Sequence, residues 1–283
     1  MGFWDKVASN GNVEDRRASP GALAGGGIVG IISLGILLFS MYNGTTPIDQ
    51  NSINQVLNDI SQIQGTTKSV QSQDFSSSDD YRVFAEKVLG SSDDTWTQIF
   101  KENNKVYKKP KLVLFRQATR SACGLATSAE GPHYCPSDQT IYLDETFFDE
   151  LKTQFGAKGG DVAEGYVIAH EVGHNVQDQL GVLDKASEDS NSSIAVELQA
   201  DCYAGIWAKS VANEGVILPN EISEALDAAS SVGDDHIQQT TEGSIHRESW
   251  THGSSAQREK WFKIGYNSGT PSACNTFKNL SSL

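Results

Sequence analysis

The chain has 283 residues, 38% of them hydrophobic, and carries 36 acidic against 22 basic side chains for a net charge of -14. That length and apolar content suffice for one or two domains with a core of their own. The negative balance does not suit a phosphate backbone, so no nucleic acid is expected among the partners.

Residues 1–18 read as a short cytoplasmic tail. Residues 19–48 contain no charged side chain, and within them ALAGGGIVGIISLGILLFSM occupies 22–41. As a helix this run would be about 30 Å long, the thickness of a bilayer core. Lys6, Arg16 and Arg17 precede it, and the next basic residue is Lys68. The positive-inside rule then puts the N-terminus in the cytoplasm and the rest of the chain outside. No small-x-small cleavage site follows Phe39, so the expectation is an uncleaved, single-pass transmembrane anchor over 19–42 in the cell membrane.

Residues 43–79 are rich in Ser, Thr, Asn, Gln and Asp and read as a polar linker. Ile53, Val56, Leu57, Ile60 and Ile63 fall near helical spacing there, which predicts a short amphipathic helix. The globular domain is expected over 80–283. Its first stretch, 80–103, reads as two helices broken around Gly90. Strands are predicted at 111–116 and at 140–145, the second β-branched and alternating. Helices are predicted at about 161–180, 193–213, 219–231 and 255–268, with Gly181, Gly215 and Gly269 as C-terminal stops. Many helices and few strands make an α+β domain, mostly helical with a small sheet.

Four cysteines fit an extracytoplasmic domain, and no C-x-x-C pair exists to hold a structural zinc. Three pairings are open. The short loop between Cys123 and Cys135 favours that bridge, leaving Cys202 and Cys274; alternatively Cys202 is a small buried side chain.

The densest chemistry lies in YVIAHEVGHNVQDQL, residues 166–180. On a helix, His170 and His174 project about 40° apart and can present nitrogens to one ion. Glu171 is turned about 100° from His170, beside such an ion rather than on it, where it can take a proton from water. A chance H-E-x-x-H somewhere in a chain of this composition has a probability of roughly 1%. A third ligand is needed. Gln177 and Leu180 stand where a longer H-x-x-G-x-x-H motif would continue, which excludes that arrangement. The following helix offers ELQAD at 197–201, set among Ile194, Leu198, Cys202, Tyr203, Ile206 and Trp207. Acids in so apolar a helix call for a cation. Glu197 is the expected third ligand, and Asp201, one turn on, would accept from the outer nitrogen of a ligand histidine. Glu164 and Asp178 fit a solvated face better. Three protein ligands leave a position open, the mark of one catalytic Zn2+ rather than a structural one. His252, in WTHGSSAQREKWF, is the candidate donor to an oxyanion, with Gly253 allowing a tight turn and Arg258 orienting the region. His133, His236 and His246 are assigned no role. The strand 140–145 is placed to bind an extended peptide by edge addition, or else is an ordinary internal strand.

The ordered set N-V-E-D-R-R (12–17), a Gly-rich apolar run, A-C-G with Y-C-P-x-D-x-x-I-Y-L-D (122–144), H-E-V-G-H (170–174), E-L-Q-A-D-C (197–202) and T-H-G-S-S-A-Q-R (251–258) resembles the bacterial family called putative neutral zinc metallopeptidases. The resemblance covers nearly the whole chain. It implies a membrane-anchored zincin of the gluzincin type, with His170, His174 and Glu197 as ligands and Glu171 as base. It also implies a catalytic role for His252, since this block is similar to the H-P-x-x-x-x-R block of other membrane-associated zincins, and both disulfides. The polar linker is a departure whose role the family does not settle.

The expected function is therefore hydrolysis of a peptide or protein substrate by zinc-activated water, with Glu171 as general base. The alternatives are a zincin-fold surface protein that binds peptides or partners with little turnover, and hydrolysis of a non-peptide amide.

Overall fold

The computed structural model describes residues 3–17, 78–185 and 190–282. The expected anchor over 19–42, and the linker over 43–79 with its short helix, lie almost wholly outside the described residues. Among the described residues no helix is long and apolar enough to cross a membrane.

The fold is α+β: a helical body against one small mixed sheet. Strand β1 is Val13–Asp15, and helix α1 is Ser78–Glu102. Strands β2 (Lys111–Leu114), β3 (Ala118–Ser121), β4 (Gly124–Thr127), β5 (His133–Cys135) and β6 (Thr140–Leu143) follow. Then come helices α2 (Thr146–Thr153), α3 (Asp161–Gln179), α4 (Ser190–Asn213), α5 (Ile222–Ser231), α6 (Asp234–Thr241) and α7 (Ser255–Ser268). The main sheet has the order β1-β2-β6-β5, while β3 and β4 form a separate hairpin. β1, β2 and β6 are parallel, and β5 runs antiparallel to β6.

Three expectations are corrected. The strand at 140–145 is internal: β6 pairs with β2 on one side and β5 on the other, so it has no free edge. The edges belong to β1 and β5, each too short a run to be read from alternation. Second, 80–103 is not two helices, because α1 runs unbroken through Gly90. A side chain at Gly90 would collide with Asn10 and crowd the backbone of Gly11. Gly90 is therefore a point of close approach between two segments, which a helix tolerates at a cost of about 1 kcal/mol.

Third, residues 3–17 of the expected tail do not stand apart but pack on the body. Trp4 is buried against Phe84 and Trp207, with ring centroids 5.1 and 6.3 Å away. Its indole N–H donates to Asp161, the first residue of α3, at 2.6 Å. β1 extends the sheet, with Leu112 N–H donating to Asn12 and Arg16 N–H to Leu114. The folded body thus includes residues 3–17 as well as those from 78 onward.

α4 is the central helix. It is buried along most of its length, which suits its nearly uniform apolar sequence. α3 and α7 pack on it. Both bridges are formed: Cys123–Cys135 ties the β3–β4 turn to edge strand β5, and Cys202–Cys274 ties α4 to the C-terminal segment.

Candidate metal centre

Two helices bring the donors together. α3 begins with acidic Asp161 and Glu164, favourable beside a helix N-terminus, and ends at Leu180, followed by Gly181 at φ 65°. Within it Gly173 lies against α4: a Cβ there would come within 3.1 Å of the Ala200 Cα. That contact carries His170 and His174 to the face of α4 bearing Glu197.

The two imidazoles lie edge to face, centroids 4.8 Å apart. His170 Nε2 is 3.2 Å from one Glu197 oxygen and His174 Nε2 is 3.5 Å from the other. Candidate ligating atoms of His170, Glu171 and His174 also lie within 4.8 Å of one another. Each Nδ1 is occupied on its far side. His170 Nδ1–H donates to Asp201 Oδ1 at 2.9 Å, and His174 Nδ1–H donates to Gln177 Oε1 at 2.9 Å. In the neutral imidazole, hydrogen bonds of this kind favour the tautomer in which Nε2 carries a lone pair.

The donor set suits a divalent cation on two grounds. Glu171 is buried, and its Oε2 has no hydrogen-bond partner among the described residues. An orphaned carboxylate oxygen is costly unless a ligand or water completes it. In addition, the charges converge on a positive partner. Burial works to raise the Glu197 carboxyl, but His174 and His170 hold it well below the usual carboxylate range. Burial works to lower His170, yet Asp201 and Glu197 raise it to about 10. Carboxylates that draw a proton onto a buried imidazole would serve a metal ion equally well.

Asp201 is itself held from several sides. It accepts from Tyr166 O–H at 2.6 Å, and from Arg258 Nε and Nη2 at 2.9 Å each. Burial opposes its charge, but Arg258 and His170 lower its pKa to about 2. Arg258 is buried as well and also donates to the Val232 carbonyl.

His252 sits at the rim with its side chain about half exposed. The Asp234 carboxylate accepts from the backbone N–H of Thr251, His252 and Gly253, and from His252 Nδ1–H at 3.1 Å. Burial would lower its pKa, but Asp234 and Glu197 raise it. The cleft has a volume of about 510 Å³ and is lined by His170, Glu171, His174, Glu197, His252 and Arg258, with Tyr134 of β5 on its wall.

Of the residues singled out in the sequence, His170, Glu171, His174, Glu197, Asp201 and His252 come together here. Glu164, expected on a solvated face, is buried in the first turn of α3. Asp178 is half-buried and accepts from Tyr134 O–H at 2.9 Å. His133, assigned no role, lies on β5 along the cleft, its ring stacked on Tyr142. Gln177 was read only as excluding a longer motif, and Tyr166 was assigned no role. Gln177 lies three residues after His174 and Tyr166 four before His170, one turn from each ring on the same helix, which is the signal that could have found them. Gln177 also donates to the Val196 carbonyl and to Gln199 Oε1, and Gln199 donates to the Cys274 carbonyl.

A family model described as "Putative neutral zinc metallopeptidase" matches residues 2–277. The chain is similar to "Uncharacterized protein YpfJ" of Escherichia coli (strain K12), 40% identical over 291 residues that cover 97% of this chain and 98% of that protein. It is also similar to "Uncharacterized protein Rv2575" of Mycobacterium tuberculosis (strain ATCC 25618 / H37Rv), 49% identical over 185 residues that cover 60% of this chain and 63% of that protein. No solved structure matches.

Proposed function

The chain belongs to the "Putative neutral zinc metallopeptidase" family, and on that premise we propose that it is a zinc-dependent peptidase. His170, His174 and Glu197 would hold the ion, with Asp201 and Gln177 fixing the two imidazoles from behind. The observation that carries the reading is the buried, unpartnered Oε2 of Glu171 beside two histidines whose Nε2 atoms converge on Glu197.

Zinc bound there supplies Lewis-acid polarisation and the acidification of water. Glu171 accepts a proton from the attacking water and returns it to the departing amine. His252, oriented by Asp234, donates a hydrogen bond to the oxygen on which negative charge develops. The substrate is an extended peptide laid along β5, whose outer edge is unpaired among the described residues and borders the cleft. The uncharged run 19–48 would attach the enzyme to a membrane, and two disulfides fit a catalytic domain outside the cytoplasm.

The test is cleavage of a mixed peptide library by the full chain and by Glu171→Gln, each with its zinc content measured. Loss of cleavage with one zinc retained supports the proposal. Unchanged cleavage by Glu171→Gln would refute it. One zinc in both proteins and cleavage by neither would favour a peptide-binding role instead.

A further inference from the structure

The N-V-E-D-R-R block has no part in the zinc chemistry, yet it is built into the fold. Arg17 donates to Asp15 and, at 2.8 Å, to buried Glu145, which also pairs with Arg116. Arg16 donates to Glu14 at 2.6 Å, to Thr119 and to the Arg120 carbonyl. Lys111 at the start of β2 reaches Glu14 at 3.1 Å. Ahead of the block, Phe3 N–H donates to the Val216 carbonyl, Lys6 Nζ to the Gly215 carbonyl and Gly11 N–H to the Glu86 carbonyl. Gly11 and Gly90 each lack a side chain where the segment crosses α1, and a Cβ on either would strike the other segment.

These contacts constrain how the chain can meet a bilayer. Arg16 and Arg17 are the charges that the positive-inside rule would hold in the cytoplasm, and here both are paired within the catalytic body. A strand hydrogen-bonded to β2 cannot lie across a membrane from β2. A single crossing between residues 17 and 78 would separate them. A return crossing needs a second apolar run of about 20 residues. The sequence from 43 to 77 has none and carries Asp49, Asp59, Lys68 and Asp74. Undocking the segment would empty the place of Trp4 between Phe84 and Trp207 and remove Arg17 from buried Glu145.

We propose, resting on the membrane attachment proposed above, that residues 3–17 and the metal centre lie on the same side of the membrane.

Topology mapping on the full chain tests this. One epitope tag is placed at the N-terminus and another at the C-terminus, and each is probed with protease before and after the membrane is breached. Both tags becoming accessible in the same step is the expected result. Tags that become accessible in different steps, one on each side, would overturn the proposal. Hydrogen exchange on the membrane-bound chain is the second measurement. The amides of Gly11 and Arg16 should exchange at least 100-fold more slowly than in an unfolded peptide. Exchange at the unfolded rate would show β1 undocked and would overturn the proposal whatever the tags report. Neither readout depends on peptidase activity or on zinc.

Discussion

Asp201→Asn separates the two tasks that one carboxylate performs at the centre. Asp201 is fully buried and accepts two hydrogen bonds from buried Arg258, one from Tyr166 and one from His170. The amide keeps the shape but loses the charge, and its NH2 faces donors wherever it is turned. Leaving Arg258 buried without its counter-charge costs about 3–5 kcal/mol. For a body of this size that lowers the melting temperature by roughly 10 °C. Weakened orientation of His170 costs about 10- to 100-fold in metal affinity, equivalent to roughly 1.4–2.7 kcal/mol. The assays are thermal melts of the metal-free chain and zinc competition against a chelator of known affinity. Adding Arg258→Met to Asp201→Asn removes the stranded cation, so the double variant should regain most of the lost stability. It should not regain zinc affinity, because His170 still lacks its carboxylate. If Asp201→Asn binds zinc as tightly as the parent, Asp201 does not position His170. If the double variant is no more stable than Asp201→Asn, the ion-pair argument is wrong.

Three further outcomes are expected. Zinc binding at pH 8 should release about one proton, since without metal His170 is held protonated with its pKa near 10 and must become neutral to ligate; calorimetry in buffers of different ionisation enthalpy measures this, and zero release contradicts it. Burial raises the Asp93 carboxyl to about 7 against the pull of Lys109. The native chain therefore keeps a proton that the unfolded chain gives up near pH 4, and stability falls as pH rises from about 4 to 7 and then levels. Asp93→Asn should match the parent near pH 4 and exceed it at pH 8 by at most on the order of 4 kcal/mol; urea melts showing an equal difference at both pH values would count against it. Replacing Cys202 and Cys274 by alanine opens a link of sequence separation 72 and should cost about 4 kcal/mol, against about 3 for Cys123–Cys135 with separation 12. Denaturant midpoints of the two double variants compare them, and the opposite order would refute the chain-entropy account.

The helices and the meeting of the central side chains were legible because both are nearly local. Four-residue spacing fixes His170 beside His174 and Glu197 above Asp201, whatever the rest of the chain does. The apolar setting of 194–207 required the acids to have a purpose. What was missed depends on partners distant in sequence. β1 and β5 are three residues each and exist only because β2 and β6 offer them edges. Gly90 looked like a helix break because its reason, the approach of Asn10, lies about 80 residues earlier. The same distance in sequence hid the pairing of Arg17 with Glu145.

The docked N-terminus has a kinetic consequence. Its partners are made late: Trp4 bonds to Asp161 across a separation of 157 residues, and Lys6 to Gly215 across 209. During synthesis residues 3–17 must therefore remain unburied until nearly the last helices exist, and closing so large a loop is slow. This segment is among the last to find its place, so folding of this body completes only after translation has passed residue 215. Until then Trp4 and the β2 edge are both open, and that interval is when the protein is most exposed to chaperones, proteases and self-association.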